Sequence, residues 1–283
     1  MRRASLRLAR ARVAPVMLAL LVASPVCFGW GENAERLITN KAVDTLPDEM
    51  LGYFGANRQF LVQHVTDPDE GNAKAPTDPR NNFIELDHYG QFPFSALPRS
   101  YTAAVAKYGR RSIDTYGLLP WQIGLYSQKL TDALREHNWT EARLTAALLA
   151  HYVAAAHDPF NTTVNSDGRL SEQPGVNERF GDGLVDRYQL FFFVKPNEAA
   201  FIRDPTDEAF EMALSAHAWL ENILLADRRA HEGLTRYGDE FYDRFYADAG
   251  AVLIRQFSDA STDVGSYWMT AWINAGRPQL PSN

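Results

Sequence analysis

From Trp30 onward, apolar residues recur every three or four positions, the spacing of helices that bury one face. Asn33 is placed to cap a first helix running to about Thr45, with Leu37, Ile38, Ala42 and Val43 along one side. Ser100 opens a second through Lys107. Leu119-Pro120-Trp121 starts another, with proline in the first turn, where its missing N–H costs no hydrogen bond. Trp139-Thr140-Glu141 leads into a long apolar helix through Ala156, which Pro159 ends. Helical spacing also covers Pro174 to Val194, where the run YQLFFFV reads as core helix rather than as an exposed membrane-touching ridge, and most of Pro205 to Gly276. Thr66 to Asn82 is rich in Asp, Pro and Asn and reads as loop. No stretch alternates as a half-buried strand would, and no segment repeats. The pattern predicts an all-α fold in a single multi-helix domain.

Ahead of it, residues 1–29 have five arginines within the first twelve positions, an apolar run from Val13 to Val26, and small residues after it. This is the layout of a secretory signal peptide. The run is short of the ~20 apolar residues a bilayer crossing needs, so no transmembrane segment is expected. Cleavage before Trp30 would leave residues 30–283 as a secreted or periplasmic domain. Because residues 1–29 hold five Arg and no acid, it would also take the formal net charge from −7 to −12. A field of that sign disfavours nucleic acid as a partner. The one cysteine, Cys27, falls in the signal, so the exported chain would have no disulfide and would rest on core packing or bound ions.

Several stretches follow one another in order up to about Tyr188: WGENAERLITNKAVDTLP, HVTDPDEG with NNFIELDHYG, LPWQIGLYSQKL, HYVAAAHDPFNTTVNSDGRL and GVNERFGDGLVDRY. Together they resemble the zinc-dependent phospholipase C and S1/P1 nuclease superfamily. The resemblance implies a helical protein that holds three zinc ions and hydrolyses phosphate esters. It implies that Trp30 supplies its free α-amine and carbonyl to zinc once the leader is removed. It implies a metal-binding, water-activating aspartate at Asp67 or Asp69, between which spacing does not choose, and a histidine ligand at His151. At the remaining ligand positions the chain departs from the family: Glu35 stands for a histidine, Asn82 for a histidine, and Ala155 for the carboxylate that bridges two zincs. Asn161 and Asn177 stand for histidines, and Gly181 for a glutamate.

Zinc takes imidazole, thiolate or carboxylate, normally four ligands. An amide is a feeble ligand, and alanine and glycine offer none. Of the six departures only Glu35 could replace what it stands for. The frame therefore predicts a degenerate site: no cofactor, or at most one or two divalent metals held by Trp30, Glu35, Asp67 or Asp69, and His151. A multi-metal clamp on attacking and leaving oxygens cannot form without the bridging carboxylate. The leading expectation is a pseudoenzyme that binds an unidentified ligand in the former active-site cleft. The alternative is a metal-dependent phosphoesterase with a reduced one- or two-metal site, in which Asp67 or Asp69 is catalytic. A purely structural, partner-binding role is not separable from the first on sequence.

Other residues have plainer readings. A lone His151 on an Ala/Leu-rich helix is expected as a hydrogen-bonded core residue, with the surviving-ligand role beside it. Glu35 is expected on a solvated helix face near Arg36 or Asn33. Asp158, before Pro159, fits a cap or turn better than a catalytic pair with His157. Asp87-His88 is either a loop-face pair or support for the site. Gly168 and Gly175 lack phosphate-loop spacing, and no Ser/His/Asp or Cys/His arrangement is legible.

Overall fold

The computed structural model describes residues 29–69 and 78–281; residues 1–28, which carry nearly all of the expected export signal, lie outside them. Among the described residues there is no strand, and the fold is all-helical. α1 (Glu32–Ala42), α2 (Asp48–Ala56) and α3 (Arg58–His64) form the first layer. α4 (Tyr101–Tyr108) and α5 (Arg110–Thr115) follow residues 78–100, which hold two short helical turns, Pro79–Asn81 and Leu86–Tyr89. α6 (Leu119–Arg135) and α7 (Trp139–Ala156) are an antiparallel pair joined by a tight corner. After three short helical turns, α8 (Val176–Glu178), a π-turn at Arg179–Gly183 and α9 (Leu184–Tyr188), come α10 (Pro205–His217), α11 (Leu220–His231) and α12 (Asp239–Asn274). At ~1.5 Å per residue α12 is about 54 Å long and spans the molecule.

α7 is the axis. Asn138 caps it by accepting from the Glu141 N–H at 3.3 Å, and from Thr145 to Ala156 every side chain is buried. Its alanines let neighbours approach, and α1, α3, α6, α10 and α12 pack around it. A helix apolar on all sides has to be interior. Two distant tryptophans clasp it: Trp30 donates its indole N–H to the Ala154 carbonyl at 2.9 Å, and Trp268 to the Ala146 carbonyl at 3.0 Å. Trp30 is itself core, edge-on to Phe257 at 5.0 Å and tilted against Phe180 at 5.8 Å. A smaller apolar cluster, with Ile84, Leu86, Tyr89, Ile113 and Phe210 among its members, pins the 83–118 segment to α10.

Two expectations need correction. Asn33 does not cap α1; Gly31 does, in extended conformation, and Asn33 sits inside the helix with its amide donating to Asp186 at 2.9 Å. The Asp182 carboxylate packs where a Cβ on residue 31 would lie, so only glycine fits at that cap. The segment Pro174 to Val194 is not one helix, and YQLFFFV joins the core only at Val194, with Tyr188 and Phe192 packed against it. It is helical only through Phe191, then extended to the start of α10. In extended chain successive side chains alternate: Phe192 and Val194 turn inward, while Leu190, Phe191 and Phe193 are 92%, 74% and 77% exposed. The extended strap is held by α12. The N–H groups of Lys195, Asn197, Ala200 and Ile202 donate to the hydroxyls of Ser258, Thr262, Ser266 and Thr270 at 2.8–3.1 Å. Ser258, Thr262 and Ser266 each also donate to the carbonyl one turn earlier. Backbone that finds acceptors in this way has no need of a helix.

Candidate functional site

Four elements meet at His151, in the fourth turn of α7. Glu35 projects from the first turns of α1, which crosses α7. Asn82 follows the short turn Pro79–Asn81, started by Asp78 accepting from the Arg80 N–H, and Asp69 lies just beyond α3. The imidazole Nδ1 is 3.0 and 3.2 Å from the two Glu35 carboxylate oxygens. Its Nε2 is 3.3 Å from Asn82 Oδ1 and 3.8 Å from Asp69 Oδ1. The Asn82 amide completes the ring by donating to Asp69 at 3.2 Å. Glu35 and His151 are each 2% exposed, whereas the Asp69 side chain keeps 21%. Glu35 is therefore not on a solvated helix face as expected. Neither Arg36 nor Asn33 is its partner; Arg36 pairs with Glu32 and Asn33 with Asp186.

The structure separates the two aspartates. Asp67 is buried and turned onto His64 Nδ1 at 2.9 Å, and Asp69 is the one beside His151.

Electrostatics in this cluster follow from burial. Desolvation is the largest influence on Glu35 and pushes its carboxyl up to about 7, against the pull of His151. Burial also disfavours charge on His151, but Glu35 and then Asp69 outweigh it and leave the imidazole above its ordinary value. The geometry agrees with a protonated ring: both nitrogens face oxygen acceptors, a carboxylate on one side and an amide carbonyl on the other, so both act as donors. The cation at the centre of the cluster is then the imidazolium itself. Tyr152, next on α7, stands close to Asn81, Gln122 and Asp69, and burial raises its hydroxyl well above the usual range.

One turn beyond His151 lies a second gathering, of a different kind. Asn161 donates its amide to the Ala155 carbonyl at 3.0 Å and packs against Gly29. A Cβ on Gly181 would have Gly29 O and the Trp30 ring at 3.8 Å and Asn177 Oδ1 at 4.0 Å. So Gly29, Trp30, Asn161, Asn177 and Gly181 adjoin one another, with no ionisable side chain among them. Around them sit two carboxylates that composition and spacing did not single out as site residues. Asp158 starts the turn Pro159–Thr162 by accepting from the Phe160 N–H at 2.8 Å, the capping role expected of it. Its other oxygen is fully buried without a hydrogen bond, and burial, with Asp182 and Glu35 behind it, pushes the group up to about 7. Asp182, packed on Gly31, is raised to about 6 by burial and then by Asp186 and Glu178. Gly31, which leaves room for it, is the sequence signal for Asp182; Gly183 instead makes room for the Tyr242 ring. His157 lies apart, paired with Asp263 at 2.9 Å, and Asp87 accepts from the Val164 N–H while His88 pairs with Glu85.

Among the described residues one set of side chains is placed to hold an ion. Glu35, Asp69 and His151 each offer an atom within 4.8 Å of the others. Bound together at ordinary zinc distances near 2.1 Å, ligand atoms lie about 3–3.5 Å apart, so the three would have to contract and His151 would have to give up a hydrogen bond. The Asn161–Asn177–Gly181 side offers no side chain that could take a second or third zinc. Glu35 near 7 is in the range a general base needs, yet it and His151 are sealed from any substrate atom in this conformation.

No protein-family model matches the sequence, and no curated protein is significantly similar to it. Solved structures are. The alpha-toxin of Clostridium absonum superposes with a TM-score of 0.53 at 11% identity, over 88% of this chain and 65% of that one. The alpha-toxin of Clostridium perfringens from avian strain SWCP gives 0.54 at 15% identity, over 90% and 68%. The chain thus spans about two thirds of the length of these toxins, and slightly less for the first. The likeness supports a phospholipase C-like helical fold. No helix among the described residues is long and apolar enough to cross a membrane.

Proposed function

We propose that this chain, exported after cleavage before Trp30, is a phospholipase C/P1 nuclease-type protein whose hydrolytic centre has lapsed and which acts by binding. The observation that carries this reading is the state of His151: both ring nitrogens are engaged by oxygen acceptors in a sealed pocket, the opposite of a lone pair held open for a metal. The Asn161–Ala155 bond adds to it, since the Asn161 amide is spent on a backbone carbonyl and offers no ligand. Under this reading a ligand would approach from the Asp69 side, where that side chain keeps 21% exposure.

A second reading has an observation of its own. The Glu35–Asp69–His151 set supports a phosphoesterase working with one divalent ion, which would hold and polarise a phosphate oxygen while Asp69 orients water. Elemental analysis of the purified protein separates the two. The pseudoenzyme reading expects at most one weakly held zinc and no zinc-dependent turnover of a chromogenic phosphodiester, single-stranded DNA or phosphatidylcholine. Chelator-sensitive turnover that His151→Ala abolishes would establish the second reading, and three tightly held zincs would overturn both.

A further inference from the structure

A cavity of about 510 Å³ lies between the loop following the Pro159–Thr162 turn and the corner where α10 passes into α11. Its apolar part includes Phe92, Val164 and Leu170, with Phe92 56% and Leu170 71% exposed at the rim. Its polar part includes Asp87, Glu221 and His217, and among the described residues no lysine or arginine lines it. Rims of this exposure carry side chains that usually have something to cover them.

His217 is fixed in one tautomer. The Thr162 hydroxyl donates to the Pro159 carbonyl at 2.6 Å, so towards His217 Nδ1, 3.0 Å away, it can only accept. The Thr162 carbonyl, 3.2 Å from the same nitrogen, can also only accept. Nδ1 therefore carries the hydrogen. Burial pulls the ring below its ordinary pKa despite Asp87 and Glu221, so it is neutral and Nε2 keeps a lone pair. Phe92 lies parallel to it with centroids 6.3 Å apart, and Phe94 meets it edge-on at 4.9 Å. Asp87 spends one oxygen on the Val164 N–H at 2.8 Å and has the other to give.

The charged and imidazole groups of the lining are thus all acceptors. An anionic ligand would meet two carboxylates and no cation. A neutral apolar one would strip water from those carboxylates without replacing it, which is costly. We infer that this cavity binds a small organic ammonium ion with an apolar body, its –NH3+ held between Asp87 and Glu221 and its chain or ring against Phe92 and Leu170. A ring beside the ammonium adds cation–π attraction from Phe92. The inference does not rest on the reading of the His151 cluster, and either can fail alone.

Calorimetric titration of the full chain with 2-phenylethylammonium, 2-phenylethanol and phenylacetate tests it. The ammonium should bind roughly tenfold or more tightly than the alcohol, and phenylacetate not at all. Glu221→Gln and Asp87→Asn should each weaken the ammonium roughly fivefold, and Leu170→Ala roughly threefold. Both carboxylate variants should melt as the wild type does: Glu221 is exposed, and an asparagine at 87 still accepts from Val164. Equal affinity for the alcohol, unchanged binding in the carboxylate variants, or no binding of the ammonium up to about 10 mM would each overturn the inference.

Discussion

Two neighbouring regions along α7 meet the same demand, a polar pocket inside an apolar core, in different ways. Around His151, buried charge is balanced by buried charge: an imidazolium between Glu35 and the Asp69–Asn82 pair. One turn on, Asn161, Asn177 and Gly181 carry no charge themselves, and the Asn161 amide closes on the Ala155 backbone carbonyl. The first arrangement is strong only while complete, because removing one partner strands the other in a low-dielectric site. The second is modest bond by bond and tolerant of loss. Buried polar groups can therefore be housed either as an ion cluster or as neutral amides, and this chain contains both.

That contrast can be broken at its strong end first. His151→Leu leaves Glu35 buried and unpartnered, and should destabilise the protein by about 3–5 kcal/mol in denaturant titration at pH 8. The loss should shrink near pH 5, where Glu35 is protonated; a loss of about 1 kcal/mol at pH 8 would show the cluster to be no more than a hydrogen bond. Next comes an attempt to convert the neutral region back. The set Glu35→His, Asn82→His, Ala155→Asp, Asn161→His, Asn177→His and Gly181→Glu should take up zinc, with room for the new Cβ at Gly181. Zinc at a thousandfold excess over its dissociation constant should stabilise it by about 4 kcal/mol. No zinc-dependent rise in melting temperature would mean that the backbone does not bring these positions together as a metal site requires.

Asp158 sharpens the comparison through pH. Its folded pKa of about 7 lies above the ordinary 3.8, so the folded state binds the extra proton between those values and stability falls as pH rises through them. Glu35, raised from 4.5 to about 7, acts in the same direction. The wild type should accordingly be more stable at pH 5 than at pH 8. Asp158→Asn keeps an oxygen for the Phe160 N–H and removes the ionisation, so it should recover about 2–4 kcal/mol at pH 8 and little at pH 4. Equal gain at both pH values would place its effect elsewhere. The smallest change is expected from Asn161→Ala, which loses one bond to the Ala155 carbonyl and should cost about 1 kcal/mol in the same titration. A cost as large as that of His151→Leu would erase the distinction between the two regions.

Much of this was readable in the chain. The 3.6-residue period gave every long helix, and α7 stands out because an Ala/Leu run with few polar positions has only the interior to go to. Proximity of Asn161, Asn177 and Gly181 was implied by the resemblance that the motifs carry. Glu35 was misjudged because a glutamate in the first turn of a helix is usually solvated, and nothing local marks the histidine 116 residues away that it meets. Asp67 and Asp69 differ only in how a two-residue turn points them. The strap was missed because its apolar residues mimic a helix face, while its acceptors, Ser258, Thr262, Ser266 and Thr270, lie far along the chain at four-residue spacing.

The strap has a consequence for the protein's behaviour at high concentration. A lone extended segment is ordinarily an open edge on which a second chain can build a sheet, and from there aggregate. Between Lys195 and Ile202 the inward N–H groups are held by α12, the Ala199 N–H donates to the Thr45 carbonyl, and Pro196 has none to offer. Only the N–H groups of Glu198 and Phe201 fall outside this set. They are three residues apart, whereas an incoming strand needs partners at every second residue on one side. The segment has the conformation of a strand but not its capacity to recruit another.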